Sequence, residues 1–210
     1  MATLTALLDG TRNLLANAGE TQHSDTSLTL YLNWALNDLV AYVATPSDVE
    51  YDGDGSTTTF TIPDNCYEID LVHVEDEGYV AEIKLRPGVD IPTSNVAMAY
   101  QKRGSSIIFN EAPGSGKAVT IYYDGYYTEL VDGGMTEIPR WAQEAVCYYA
   151  ASSALAGKSA GAASIDQWDQ QWDSGNPEHN PLARVAESYY ASYLRIVTDH
   201  THDPEIETWS

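Results

Sequence analysis

The apolar residues change period twice along this chain, from helical spacing to alternation and back, and that limits the possible folds more than any other feature. From Leu4 to Ala18 they recur at Leu4, Leu7, Leu8, Leu14 and Leu15, which places them on one helical face. Gly10 weakens this helix in its middle, and Gly19 is a C-terminal stop signal. Ser24-Asp25 can cap a second helix, whose stripe runs through Leu28, Leu32, Leu36, Leu39 and Val43 until Thr45-Pro46 stops it. From Val49 to about Thr128 the period falls to two, with turn residues between short β-branched runs. Asp52-Gly53-Asp54-Gly55-Ser56 is a turn, Glu75-Asp76-Glu77-Gly78 a charged turn, and Ser105–Phe109 is expected to form a hairpin with Val119–Tyr123.

Helical spacing resumes at Pro139, suited to a first helical position, with Trp141, Ala145, Tyr148 or Tyr149, Ser152 and Leu155 on one face. Gly157–Ala163 is a small-residue linker, followed by a short helix with Trp168 and Trp172 and a loop at 175–179. Asn180 then caps a helix starting at Pro181, whose stripe is Leu182, Val185, Ala186, Tyr189, Tyr193 and Ile196. The expected fold is α+β: a helical bundle of N- and C-terminal helices (1–47 and 131–198) with an inserted small antiparallel β-sandwich or barrel (48–130). Residues 199–210 read as an extended C-terminal arm.

Charge restricts the partners. The chain has 31 acidic residues against 10 basic ones, a formal net charge of −21, with lysine only at Lys84, Lys102, Lys117 and Lys158. Such a surface repels phosphate and argues against binding of nucleic acid through counterion release. Its self-repulsion is screened at high salt, where the Debye length falls to about 3 Å at 1 M. Many acids and few lysines suit a halophilic habitat, and equally a ring lumen through which DNA slides without sticking. The longest apolar runs are too interrupted to span a bilayer. Met1-Ala2-Thr3-Leu4 opens no basic-then-apolar secretion signal. Cys66 and Cys147 lie far apart in apolar company and read as small core residues.

The motifs that invite chemistry fail on spacing. Gly114-Ser115-Gly116-Lys117 has Glu111 where a phosphate loop needs Gly and Ala118 where it needs Ser or Thr. Asp52–Ser56 begins like a calcium loop but carries Thr57 at the required Gly and Pro63 at the required Glu. His200-Thr201-His202-Asp203 offers imidazoles and carboxylates without a rigid frame. Neither GxSxG nor HExxH is present, and no catalytic, cofactor or metal residue is assigned. An acidic pair across a cleft would fit almost any chain this acidic. Fifteen tyrosines against two phenylalanines say more. The pairs Tyr122-Tyr123, Tyr126-Tyr127, Tyr148-Tyr149 and Tyr189-Tyr190 cannot all face one core, and tyrosine is enriched at interfaces. Halophile surfaces and partly solvated cores are other uses for it.

The stretch Ile108-Phe109-Asn110-Glu111-Ala112-Pro113, then Val119-Thr120-Ile121-Tyr122-Tyr123, Asp132 and Glu137-Ile138-Pro139-Arg140-Trp141 resembles the head–tail adaptor (connector) family of tailed viruses. There a short strand ending in F-x-x-A/P-P precedes a V-x-I-x-Y-Y strand and an I/L-P helix. The helix pair, the 52–63 turn and the loop 175–182 before a Tyr-rich helix fit the same order, so the resemblance covers about residues 1–198. It implies a structural virion protein, not an enzyme, in the neck between capsid and tail, assembled in the host cytoplasm. Its partners would be copies of itself in a ring, usually dodecameric, the portal protein, a tail or neck protein below, and DNA passing through the lumen unbound. No membrane and no cofactor are implied, and the acidity departs from phage relatives towards a virus of haloarchaea. The C-terminal arm would touch the portal through Asp199, His200, His202, Pro204, Ile206 and Trp209, with a frayed terminus as the plainer alternative. A ring needs two unlike faces per subunit, for which Trp141, Tyr148, Tyr149, Tyr189, Tyr190 and Tyr193 are the candidates. Another neck or tail-completion protein is the nearest alternative, and an acidic extracellular binding module or hydrolase the more distant one.

Overall fold

The computed structural model describes residues 2–20, 22–86, 89, 97–131, 133–169 and 181–201, with backbone alone at 159–169 and 181. In chain order these form β1 (Ala2–Thr3), α1 (Leu4–Asn17), α2 (Asp25–Leu39), β2 (Thr45–Asp52), β3 (Thr59–Thr61), β4 (Cys66–Val74) and β5 (Gly78–Glu82). There follow β6 (Ala99–Arg103), β7 (Ser106–Phe109), β8 (Ala118–Gly125), β9 (Met135–Thr136), α3 (Arg140–Asp169) and α4 (Pro181–Thr201). The chain divides into a helical unit, 1–43 with 127–210, and a β unit, 44–126, so the fold is α+β with the β unit inserted between α2 and α3.

In the helical unit, local chemistry starts the first two helices. The Thr3 hydroxyl accepts from the Ala6 N–H at 3.2 Å and the Ser24 hydroxyl from the Ser27 N–H at 3.2 Å, each satisfying a free donor of the first turn. Helix α1 buries Leu4, Leu7, Leu8, Thr11 and Leu15 and ends where Gly19 takes φ +79°. Helix α2 buries Leu28, Leu32, Ala35, Leu36 and Leu39, and stops earlier than its sequence pattern suggests. Thr45-Pro46 opens β2 and does not end α2. Pro46 is tolerated there because it lies near the start of an edge strand. Where the chain leaves and re-enters this unit, the Tyr127 hydroxyl donates to the Val43 carbonyl at 2.8 Å. The Asn33 side chain exchanges two hydrogen bonds with the backbone of Leu130, at 2.8 and 3.1 Å.

Gly157–Ala163 is no linker: α3 runs through it without a break. Alanine and serine are compatible with helix, and the two glycines, Gly157 and Gly161, cost only about 1 kcal/mol each against alanine. Upstream, α3 buries Ala150, Ala151, Ala154 and Leu155, which anchor the helix before the small-residue stretch begins. The expected second helix and its Trp168 therefore belong to α3, while Trp172, Asn180 and the loop at 175–179 lie outside the described residues, as does Asp132.

The β unit is one seven-stranded sheet in the order β2-β8-β4-β5-β6-β7-β3, antiparallel throughout except for β5–β6. It curls into a nearly closed barrel. The two edge strands come together where the Tyr51 hydroxyl of β2 donates to the Thr61 carbonyl of β3 at 2.5 Å. Alternating residues fill the interior, among them Phe60, Val72, Ile107, Phe109, Val119 and Ile121, with the Phe60 and Phe109 rings edge-to-face at 5.6 Å. The expected hairpin of 105–109 with 119–123 does not form. Strand β7 pairs with β6 and β3, and β8 lies between β2 and β4. The turn at 113–117 instead docks on the turn after β2, through Gly53 N–H to Lys117 O at 2.8 Å and Gly116 N–H to Gly53 O at 2.8 Å. A Cβ on Gly53 would lie 2.6 Å from the Gly114 carbonyl oxygen, so only glycine fits that contact.

Strand β4 carries two bulges against β8. Cys66 and Glu68 oppose the consecutive residues Gly125 and Asp124, leaving Tyr67 unpaired, and Ile69 and Leu71 oppose Tyr123 and Tyr122, leaving Asp70 unpaired. A bulge adds one residue and re-aims the side chains beside it. Here it leaves both Asp70 and Leu71 on the outer face while Ile69 and Val72 turn inward.

Candidate functional site

The tyrosines of α3 and α4 meet each other. Tyr148 and Tyr189 have ring centroids 5.6 Å apart, Tyr149 and Tyr193 5.1 Å, and Tyr190 and Tyr193 5.9 Å. Tyr42, beyond α2, adds an edge-to-face contact with Tyr193 at 6.2 Å. At one end of the seam Trp141 stacks on His200 at 4.4 Å, with only 18° between the rings. The hydroxyls then reach other helices. Tyr193 donates to the Asp38 carboxylate at 2.5 Å, Tyr189 to the Leu14 carbonyl at 2.9 Å, and Ser152 to the Ala186 carbonyl at 2.8 Å. Burial, then the hydrogen bond to Asp38, pushes the Tyr193 phenol far above its ordinary value, and burial likewise raises Tyr149 and Tyr189. These phenols stay protonated, and those of Tyr189 and Tyr193 act as donors that tie α4 to α1 and α2.

That arrangement revises the expected subunit contacts. Tyr193 is fully buried and cannot meet a neighbouring subunit. Its pattern of burial follows from the α4 stripe, in which Ala186, Tyr193 and Val197 face the helical unit. Trp141, Tyr148, Tyr149 and Tyr189 are half-buried against partners in their own chain, whereas Tyr190 leaves 42% of its surface open. Asp199 and His200 belong to α4 and not to an extended arm, because the helix continues to Thr201. Val197 and the His200–Trp141 stack hold its last turns, and an imidazole suits a helix C-terminus. Asp199 is exposed there. His202, Pro204, Ile206 and Trp209 lie outside the described residues.

The turns have structural uses. The Asp54 carboxylate accepts from the Thr57 N–H at 2.5 Å, the Thr57 hydroxyl at 2.7 Å and the Ser56 N–H at 2.7 Å, and these bonds hold its carboxyl far below the usual range. Lys117, in the would-be phosphate loop, pairs with Asp76 of the β4–β5 turn. Cys147 is buried and Cys66 half-buried, and burial raises both thiols above their ordinary value, which makes them poor nucleophiles. Among the described residues no group of three His, Cys, Asp or Glu side chains converges as a metal cage, and no helix is long and apolar enough to cross a membrane.

The outer face of the β4 sheet region was missed from sequence. Glu68–Val74 reads as simple alternation, yet its apolar residues change parity, from Ile69 and Leu71 to Val72 and Val74. That change was the available sign of a bulge. No protein-family model matches the chain, and a search of curated proteins finds no match.

Proposed function

We propose that the chain is a structural subunit of a tailed-virus neck: a head–tail adaptor whose ring joins the capsid portal to the tail and lets DNA pass. The observation that carries this reading is the insertion of a compact β unit between α2 and α3 of a helical unit. That is the order of elements which the resemblance over about residues 1–198 implies. Two further features support it. A net charge of −21 suits a lumen that must not hold phosphate. The tyrosine hydroxyls, cysteines and turn carboxylates described above are engaged in packing and hydrogen bonds and not arranged around a reacting centre.

The test is mass photometry and negative-stain imaging of the purified chain, alone and with the portal protein of its virus, in high salt. A ring-shaped complex with the portal is the expected result. A chain indifferent to the portal that binds tail proteins would move it to another layer of the neck. Indifference to both would overturn the viral reading.

A further inference from the structure

The outer face of the β unit holds a shallow groove of about 420 Å³ spanning β2, β8, β4 and β5. Register explains its lining. Tyr122 of β8 stands between Asp48 of β2 and Leu71 of β4, its two cross-strand partners. Tyr79 of β5 faces His73 in the next outward row, with the rings at 5.4 Å. The bulge in β4 then brings Asp70 out beside Leu71, so a carboxylate stands on each side of the aromatic floor. Tyr79 is 76% exposed, Tyr122 40% and Leu71 36%. Exposed apolar side chains gathered in a groove mark a binding surface.

The occupant follows from charge. No described lysine or arginine forms an ion pair with Asp48 or Asp70. Partial desolvation, and then Glu68, holds the Asp70 carboxyl above the usual range, so added negative charge would be opposed and a cation favoured. Aromatic faces attract a guanidinium, and a carboxylate accepts it in a two-bond fork. Nucleic acid brings phosphate and is repelled by this acidic groove. We propose that this groove docks a basic segment of a partner protein, seating an arginine side chain between the rings of Tyr79 and Tyr122 and the carboxylates of Asp48 and Asp70. The inference concerns the β unit alone and stands whether or not the chain builds a neck ring.

The full-length ¹⁵N-labelled chain, titrated in low salt with the capped tripeptide acetyl-Val-Arg-Val-amide, tests it by NMR. Its counterpart with neutral citrulline replaces arginine with nearly the same shape. The arginine peptide should shift the amides of Asp48, Asp70, Leu71, Tyr79 and Tyr122 together. The double variant Asp48→Asn/Asp70→Asn should weaken binding by roughly tenfold, from the loss of two partly exposed charge contacts, and Tyr79→Ala should weaken it as well. The charge-matched pair Glu137→Gln/Glu144→Gln, in the helical unit, should leave affinity unchanged. Equal binding of the citrulline peptide would mean that the groove takes an uncharged ligand, and would overturn the proposal. So would shifts scattered over the acidic surface, or an equal loss in the charge-matched pair.

Discussion

Gly10 occupies the middle of α1, where glycine costs about 1 kcal/mol relative to alanine. A Cβ at that position would lie 2.8 Å from the Cys147 sulfur of α3, so the glycine is what allows α1 and α3 to approach. The thiol completes the contact by donating to the Leu7 carbonyl at 3.5 Å. Gly10→Ala should therefore destabilise the chain by about 1–2 kcal/mol, overpacking outweighing the gain in helix propensity. In a Cys147→Ala background the same change should be neutral or stabilising. Denaturant midpoints of the four proteins measure the difference, and equal effects in both backgrounds would show that the contact is not the reason for the glycine. Two aspartates behave oppositely with pH. Asp54 is depressed, first by the Thr57 N–H, so it adds stability above the unfolded value of about 3.9 and loses it as pH falls through its folded value. Asp70 is raised by desolvation and then by Glu68, so its proton is held more tightly in the folded chain. Its stabilising effect is complete below about pH 3.9 and is lost as pH rises through its folded value. Asp70→Asn should accordingly raise the melting temperature at pH 7 and give no such gain below pH ~3.9. A loss at pH 7 would mean that Asp70 has a stabilising partner.

At the scale of elements, the bulges of β4 separate two kinds of deletion. Removing Asp70 takes out the extra residue and leaves every other side chain of β4 on its present face, with Ile69 and Val72 still inward. Removing His73 inverts the strand on one side of the cut, and a one-residue slip exchanges core and solvent faces. The Asp70 deletion should keep a cooperative thermal transition, and the His73 deletion should lose it. If both unfold alike, the second bulge is needed for the barrel to close. What could be read in the sequence follows the same division between local and distant causes. The start of α2 was legible because Ser24 caps within three residues of itself, whereas α1 was legible from its leucine spacing and its Thr3 cap emerges only in the structure. The β7–β8 hairpin was misjudged because β8 finds its partners at 45–52 and 66–74, and nothing in a ten-residue window encodes that choice. The break expected at Gly157 failed for a similar reason. Glycine and alanine have the same composition in a linker as in a helix face, and the contact that uses Gly157 is with the Tyr31 hydroxyl, 3.4 Å from a Cβ placed there. Tyrosine richness was visible at once, yet its destinations were not. The acceptors at Leu14, Asp38, Val43 and Thr61 are set by packing, and Tyr189 and Tyr193, expected between subunits, donate to helices of their own chain.

At the scale of the whole molecule, charge and connectivity make separate demands. A chain of net charge −21 resists compaction by self-repulsion, and its described ion pairs are few and largely exposed. Its melting temperature should rise from low salt to molar sodium chloride, by screening and not by strengthening of pairs. A fall would mean that the pairs outweigh the repulsion. Connectivity bears on how the two units fold. The buried leucines of α1 and α2, the alanines of α3 and the tyrosines of α4 all belong to the helical unit. Its two ends at the insertion are tied to each other by the Tyr127–Val43 hydrogen bond. A chain in which residues 44–126 are replaced by a short Gly-Ser linker therefore closes a small loop between ends already in contact, and loop-closure entropy grows only slowly with length. That chain should fold, giving helical circular dichroism, a near-ultraviolet tyrosine signal from the α3–α4 seam and one cooperative denaturant transition. Residues 44–126 alone should likewise keep a folded barrel, since its interior is filled by its own strands. If the linker chain shows helical signal without cooperativity, the insertion is required for bundle packing, and the two units form one folding unit.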